Sequence, residues 1–335
     1  MSKNLSAESQ PKLVLVTGAS GFVALNVIQE LAKTHHKIRA TVRNINDKTK
    51  VDIVKRAAAN SKYPIEIFSA DLTNPDSWNE ACRGADIVIH TASPFPNEAP
   101  EDPENQLYKP AIQGTKNVLN AAYNANVSRV VVTSSTAAVY NFGAKNTIFS
   151  EKDWNDPDKT TPYPKSKILA ERAAWDFVEE KKNNGKKCFE LAVINPCFIM
   201  GPSLGDSSSL GTSEKLIAGL LQGLPEKGTE FHIGYCDVRD VAQAHVKAAF
   251  LPEAVGHRHV IETKWASNKE ALEVLKKKYA NQGFKLITQY ESTPSPNNRS
   301  DTTRMTKVLG IQPTSFENSI IDMAESLIKA GIVKK

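Results

Sequence analysis

The feature that most restricts this chain's fold is a repeated pairing of short, largely apolar runs with amphipathic stretches. The runs are Leu13–Val16, Ile38–Val42, Ile65–Phe68, Ile87–His90 and Val130–Thr133, followed later by Phe189–Ile194. Between them lie helical patterns at Phe22–Lys33, Asp47–Ala59, Ser77–Arg83, Glu104–Asn126 and Lys165–Lys182. Strands without polar alternation are buried on both faces, as in a parallel sheet covered by helices. Alternating strands and helices with right-handed crossovers predict an α/β, doubly wound parallel sheet.

After about Asn195 the rhythm changes. "GPSLGDSSSLGTS" reads as loop, and the helical patterns Ser267–Tyr279 and Ser315–Ala330 are separated by less regular pieces. The expected organisation is a main domain over 11–200, rejoined by 237–262 through Val238–Phe250 and a strand at His259–Ile261. A smaller C-terminal α/β substrate lobe is expected from 201–236 and 263–335, laid over the C-terminal edge of the sheet. The polar residues 1–10 are expected to form a disordered leader rather than a signal peptide.

The 40% hydrophobic and 24% charged fractions are those of an ordinary globular protein. No run approaches the roughly 18 apolar residues of a membrane span. The net charge of +5 comes from scattered lysines rather than a stripe, so neither nucleic acid nor membrane is an expected partner. Cys82, Cys188, Cys197 and Cys236 show no zinc spacing, and His257 and His259 have no partner ligands nearby. Free thiols, a reducing cytoplasmic setting and no metal are expected.

"LVLVTGASGFVALNVIQEL" joins the first strand to the first helix. Gly18 and Gly21 permit a tight turn and close backbone approach to a pyrophosphate seated on the helix N-terminus, with Ser20, Phe22 and Val23 beside them. A third glycine is usual; here the position holds Ala24, which serves helix–strand packing. Set at the first strand of such an alternation, the loop reads as a Rossmann-type dinucleotide site. NAD needs a carboxylate after the second strand for the ribose hydroxyl, yet Leu31 to Asn46 contain no acidic residue. "KIRATVRN" places Arg39 and Arg43 on one strand face. Arg43, with Lys48 or Lys50 beyond it, suits a 2′-phosphate, so NADP(H) is the expected cofactor.

Among the eight tyrosines, Tyr163 alone has a lysine four residues on, Lys167. The pair opens a helical pattern, so the ammonium is expected to lower the phenol's pKa and ready it for proton transfer during hydride transfer. "VVVTSS" ends a buried strand in Thr133, Ser134 and Ser135, one of which is expected to bind a substrate oxygen.

"TGASGFVA", "ADL", "HTASP", "TSS", "YxxxK", "NPCFIMGP" and "DVRDVAQAH" occur in an order and spacing that resembles the extended short-chain dehydrogenase/reductases. The likeness is strongest to the dihydroflavonol-reductase-like branch, with its fungal methylglyoxal and aldehyde/ketone reductases, and covers about Leu13 to Phe250. The resemblance implies Ser135 as the catalytic serine, Tyr163 as acid/base, and Lys167 as the residue that lowers the phenol's pKa and holds the nicotinamide ribose. It implies cofactor contacts at Thr133, Pro196 and Ile199, and at Asp71 and Leu72, otherwise a strand-end cap. Ala92 and Ser93, otherwise a turn, and Ser213, otherwise a helix N-cap, match further contacts. Tyr140 stands where flavonoid reductases carry a substrate-reading asparagine, and "TTPYPKSK" lacks the cinnamoyl-CoA reductase signature.

The expected activity is NADPH-dependent reduction of a small aldehyde or ketone by a monomer or homodimer. The alternatives are a nucleotide-sugar epimerase or dehydratase, which favours an acid after the second strand, and a non-catalytic NADPH sensor, which commonly lacks the Tyr/Lys pair.

Overall fold

The computed structural model describes residues 10–94, 100–205 and 210–335. The expected leader, apart from Gln10, and residues 206–209 of the loop after Pro202 lie outside them.

The first half runs β1 (Leu13–Thr17), α1 (Phe22–Leu31), β2 (Lys37–Val42), α2 (Lys48–Ala57), β3 (Glu66–Ser69), α3 (Ser77–Cys82) and β4 (Ile87–His90). It continues through α4 (Lys109–Asn124), β5 (Arg129–Thr133), β6 (Ile148–Phe149), α5 (Pro162–Asn183), β7 (Glu190–Pro196) and β8 (Phe198–Met200). Next come α6 (Thr212–Gln222), β9 (Lys227–Thr229), β10 (His232–Asp237), α7 (Val238–Phe250), β11 (Arg258–Ile261) and β12 (Lys264–Ser267). The chain ends with α8 (Asn268–Tyr279), β13 (Gln289–Glu291), β14 (Arg299–Ser300) and α9 (Phe316–Lys329).

The main sheet has the order β11-β7-β5-β4-β1-β2-β3, with every pairing parallel. Its strands alternate between two apolar cores because successive side chains point to opposite faces. Val14, Val16, Ile38, Ile87 and Ile89 pack with α1, α2 and α7 on one face. Leu15, Val88, Val130, Val132 and Val193 pack with α3, α4 and α5 on the other. Each such fully buried side chain contributes about 1.5–3 kcal/mol. This is the Rossmann-like doubly wound architecture that the unbroken runs predict.

A second sheet, β12-β10-β8, packs with α6, α8 and α9 around Met200, Leu221, Tyr235, Leu272 and Ile320. Phe22, at the start of α1, also packs against this cluster. Ser267 caps α8 by accepting from the Glu270 N–H while the Glu270 carboxylate accepts from the Ser267 N–H.

The Glu104–Asn126 pattern divides into a π-helical turn, Glu104–Tyr108, and α4. Helix α5 begins at Pro162, before the expected Lys165, so Tyr163 and Pro164 both lie inside its first turn. Proline is tolerated there because the first-turn N–H groups have no partner within the helix.

Candidate active site

At the C-terminal end of β1 the chain turns with Gly18 at φ +64°. The Gly21 N–H donates to the Gly18 carbonyl at 3.0 Å, and the Ala19 N–H to the Thr41 carbonyl at 2.8 Å. An added Cβ on Gly18 would lie 2.9 Å from Ala92 Cα, so glycine is demanded by both conformation and space. Gly21 is the N-cap of α1, whose first turn has no side-chain cap and no acidic residue, an N-terminus suited to an anion. Ala24 is 1% exposed and packed in the core. The replacement of the third glycine is a packing choice.

The cleft in front of this turn measures about 510 Å³. Gly18, Gly21, Phe22, Val23 and Ala24 form one wall. Ser93, Thr133, Ser135, Tyr163, Lys167, Pro196, Ile199 and Ser213, all expected site residues, also line it. The structure therefore brings together the ends of β1, β4, β5 and β7 with the first turns of α1, α5 and α6.

Of the three hydroxyls after β5, Ser135 is the one that meets the tyrosine. Thr133 Oγ1 is paired with His245 Nε2 at 2.7 Å, and Ser134 Oγ donates to the buried Glu171 carboxylate at 2.6 Å. Ser135 accepts from the Ala137 N–H at 3.1 Å and hydrogen-bonds Tyr163. Lys167 Nζ lies 5.7 Å from the Tyr163 ring centre and donates to Ser93 Oγ at 3.0 Å.

The electrostatics correct one expectation. The Tyr163 phenol is pushed above its ordinary value by burial, and its hydrogen bond with Ser135 draws it only partly back. The residue keeps 36% of its surface exposed, but protein crowds the hydroxyl and disfavours phenolate. Burial also lowers the Lys167 ammonium to about 8. The Tyr163 hydroxyl is therefore held protonated.

Other site expectations are redistributed. Arg39, expected beside Arg43, is buried: its guanidinium pairs with Glu66 at 2.7 Å and donates to the Ala81 and Arg83 carbonyls. Arg43 follows β2 directly, is exposed, and helps hold the Asp71 carboxyl low. The larger cause of that lowering is the pair of hydrogen bonds from the Thr73 hydroxyl and N–H. Ser20, Arg43, Lys50 and Asp71 do not line the cleft. Lys50 lies in the first turn of α2, with its N–H held by Asp47 at 3.1 Å. Leu72 and Ala92 line a small adjoining space with His90 and Ser93. Ser213 is not an N-cap; Gly211 is, with its N–H held by Glu214 at 2.6 Å. Tyr140 is fully buried, donates to Glu262 at 2.6 Å and faces no substrate space.

Among the lining residues the sequence reading missed are Phe142, Phe198, Thr212 and Ile233. Phe198 and Ile233 read as ordinary strand residues, and nothing local marks their orientation.

Residues 14–262 match the model of the NAD dependent epimerase/dehydratase family. The chain belongs to this family, the extended short-chain dehydrogenase/reductases. It is 32% identical to the NADPH-dependent methylglyoxal reductase GRE2 of Saccharomyces cerevisiae, across 94% of this chain and 98% of the relative. It is 34% identical to cinnamoyl-CoA reductase 1 of Petunia hybrida, across 96% of this chain and 93% of the relative. The solved structure of yeast methylglyoxal/isovaleraldehyde reductase Gre2 complexed with NADPH superposes with a TM-score of 0.83 at 29% identity. That match covers 96% of this chain and 100% of the other.

Proposed function

We propose that the protein reduces small aldehydes or ketones to alcohols with NADPH. The observation that carries this reading is the meeting of Ser135, Tyr163 and Lys167 in one cleft with the Gly18–Gly21 turn. The glycine turn and the N-terminus of α1 suit the pyrophosphate, and Arg43, unopposed by an acid after β2, suits the 2′-phosphate. NADPH supplies the hydride.

In this reading Ser135 and Tyr163 hold the carbonyl oxygen between them. Tyr163, un-ionised, delivers its proton to the developing alkoxide, and Lys167 stabilises the phenolate left behind. Phe142, Phe198, Ile199 and Ile233 exclude water from that oxygen. The apolar side chains of Phe142, Phe198, Ile199 and Ile233 in the lining suit an apolar-substituted carbonyl. The cinnamoyl-CoA reductase and methylglyoxal reductase relatives make thioesters and dicarbonyls the natural comparison substrates.

The test is oxidation of NADPH, followed by its absorbance, against aldehydes, ketones, dicarbonyls and acyl-CoA thioesters. Turnover of an aldehyde or ketone is expected, and Tyr163→Phe is expected to abolish it while NADPH still binds. Tight NADPH binding without turnover of any carbonyl would overturn the assignment.

A further inference from the structure

One turn beyond Lys167 on the same face of α5 stands Glu171, 1% exposed. Its Oε2 accepts from Ser134 Oγ at 2.6 Å, from Asn195 Nδ2 at 2.9 Å and from an Arg258 nitrogen at 3.2 Å. Its Oε1 accepts from Arg258 Nε at 2.6 Å and from Trp175 Nε1 at 3.2 Å. The donors come from β11, from α5 itself, from the end of β7, and from the residue that precedes Ser135.

Two of these donors reach further. Asn195 Nδ2 also donates to the Ser135 carbonyl at 3.2 Å, while its Oδ1 has no hydrogen-bond partner among the described residues. The carboxylate thus dictates which way the Asn195 amide faces, since only the NH₂ can meet it. Arg258 also donates to the Ala138 carbonyl at 3.4 Å, in the turn that follows Ser135, and to the Asp153 carbonyl at 2.5 Å. One carboxylate on the Tyr163 and Lys167 helix therefore grips the Ser135 segment before, at and after the serine.

Stability alone is a poor account of this arrangement. Desolvation of a buried ion pair offsets much of its attraction, and apolar side chains of similar volume often serve as well or better. Apolar residues do not fix the setting of a loop against a helix to hydrogen-bond precision.

We propose that Glu171 is a positioning residue for carbonyl reduction, holding Ser135 at working distance from Tyr163 through Ser134, Asn195 and Arg258. The inference rests on the catalytic reading of Ser135 and Tyr163. A misplacement of about 1 Å in such a constellation costs about a hundredfold in rate.

The test compares Ser134→Ala, Glu171→Gln and the apolar double variant Glu171→Met/Arg258→Met. Thermal unfolding, NADPH binding, kcat and KM are measured for each. The Tyr163 titration is followed by NMR of ring-labelled tyrosine, the signal being assigned by its loss in Tyr163→Phe. The double variant is expected to fold with lowered stability, because Ser134, Asn195 and the Asp153 carbonyl lose partners. It is expected to keep wild-type NADPH affinity and to lose about a hundredfold in kcat. Ser134→Ala is expected to lower kcat about tenfold, because only one link is cut. In both, the Tyr163 titration is expected to move upward as the Ser135 hydrogen bond weakens.

A folded double variant with wild-type kcat and an unmoved titration would overturn the proposal. If both Glu171 variants fail to fold, Ser134→Ala decides: unchanged kcat and titration refute positioning, and a fall with an upward shift supports it. Should the wild type reduce no carbonyl, the reductase reading fails on its own. The titration then still decides whether Glu171 sets the Ser135–Tyr163 contact.

Discussion

Replacing Gly18 by alanine puts a methyl group where the backbone has left no room for one. At φ +64° an L-residue with a Cβ pays roughly 1–2 kcal/mol in local strain. The new Cβ would also stand 2.9 Å from Ala92 Cα and 3.2 Å from Ala92 N, which are backbone atoms rather than a flexible side-chain tip. Ala92 is not free to withdraw, since its N–H and that of Thr91 both donate to Thr17 Oγ1 at 3.1 Å. Losing one of these bonds costs about 1 kcal/mol more. Gly18→Ala is therefore expected to lose about 2–3 kcal/mol of stability in urea unfolding. Its displaced turn is expected to weaken NADPH at least about tenfold by isothermal titration calorimetry. Ala24→Gly is the control. Ala24 also lines the cleft, but glycine is the usual residue at this position, so the loss of its buried methyl is expected to cost about 1 kcal/mol in helix propensity with NADPH affinity within about twofold of wild type. Wild-type stability in Gly18→Ala would refute the steric argument, and equal losses of NADPH affinity in both variants would refute the cradle.

Arg43→Ala is expected to weaken NADPH about tenfold while leaving NADH nearly unchanged, because in the proposed reading the exposed guanidinium pairs with the 2′-phosphate that NADH lacks; equal losses for the two cofactors would contradict that contact. Acid is expected to destabilise the protein through its three most deeply buried histidines. Burial lowers His90 to about 3 and His245 and His259 to about 4, with Lys167 adding to the effect at His90. These groups bind fewer protons folded than unfolded below pH 6.5, so stability present above that pH is lost as pH falls toward 4. The slope is about 1.4 kcal/mol per pH unit for each histidine, roughly 4 for the three together. Urea midpoints that stay constant from pH 7 to pH 5 would show that these rings are protonated in the fold.

Much of the architecture was legible in local patterns. Strands Ile87–His90 and helix Val238–Phe250 are found with their expected bounds. Their neighbours shift by a residue or a few, where caps such as Ser267 and Ser315 stand outside the helices they start. Gly18, Gly21, Tyr163 and Lys167 were readable because turn geometry and helical spacing are short-range properties, whereas Ser135 was singled out from its neighbours only by the family resemblance. Arg39 was misplaced because strand alternation names a face, whereas partners such as Glu66 come from the neighbouring strand. The phenol's raised pKa was hidden for a similar reason. Spacing brings Lys167 near Tyr163, but the desolvation that dominates comes from the whole wall of the cleft.

By itself, then, the sequence determined a doubly wound sheet, a dinucleotide turn with its third glycine replaced by a packing alanine, and a tyrosine–lysine pair on one helix. These follow from periodicity and backbone sterics acting over a few residues. Only the tertiary structure decided which of three consecutive hydroxyls faces the tyrosine. Ser134 is taken by Glu171 and Thr133 by His245, leaving Ser135 at the phenol. Those partners lie 37 and 112 residues away along the chain, and chain folding alone brings them within hydrogen-bond range.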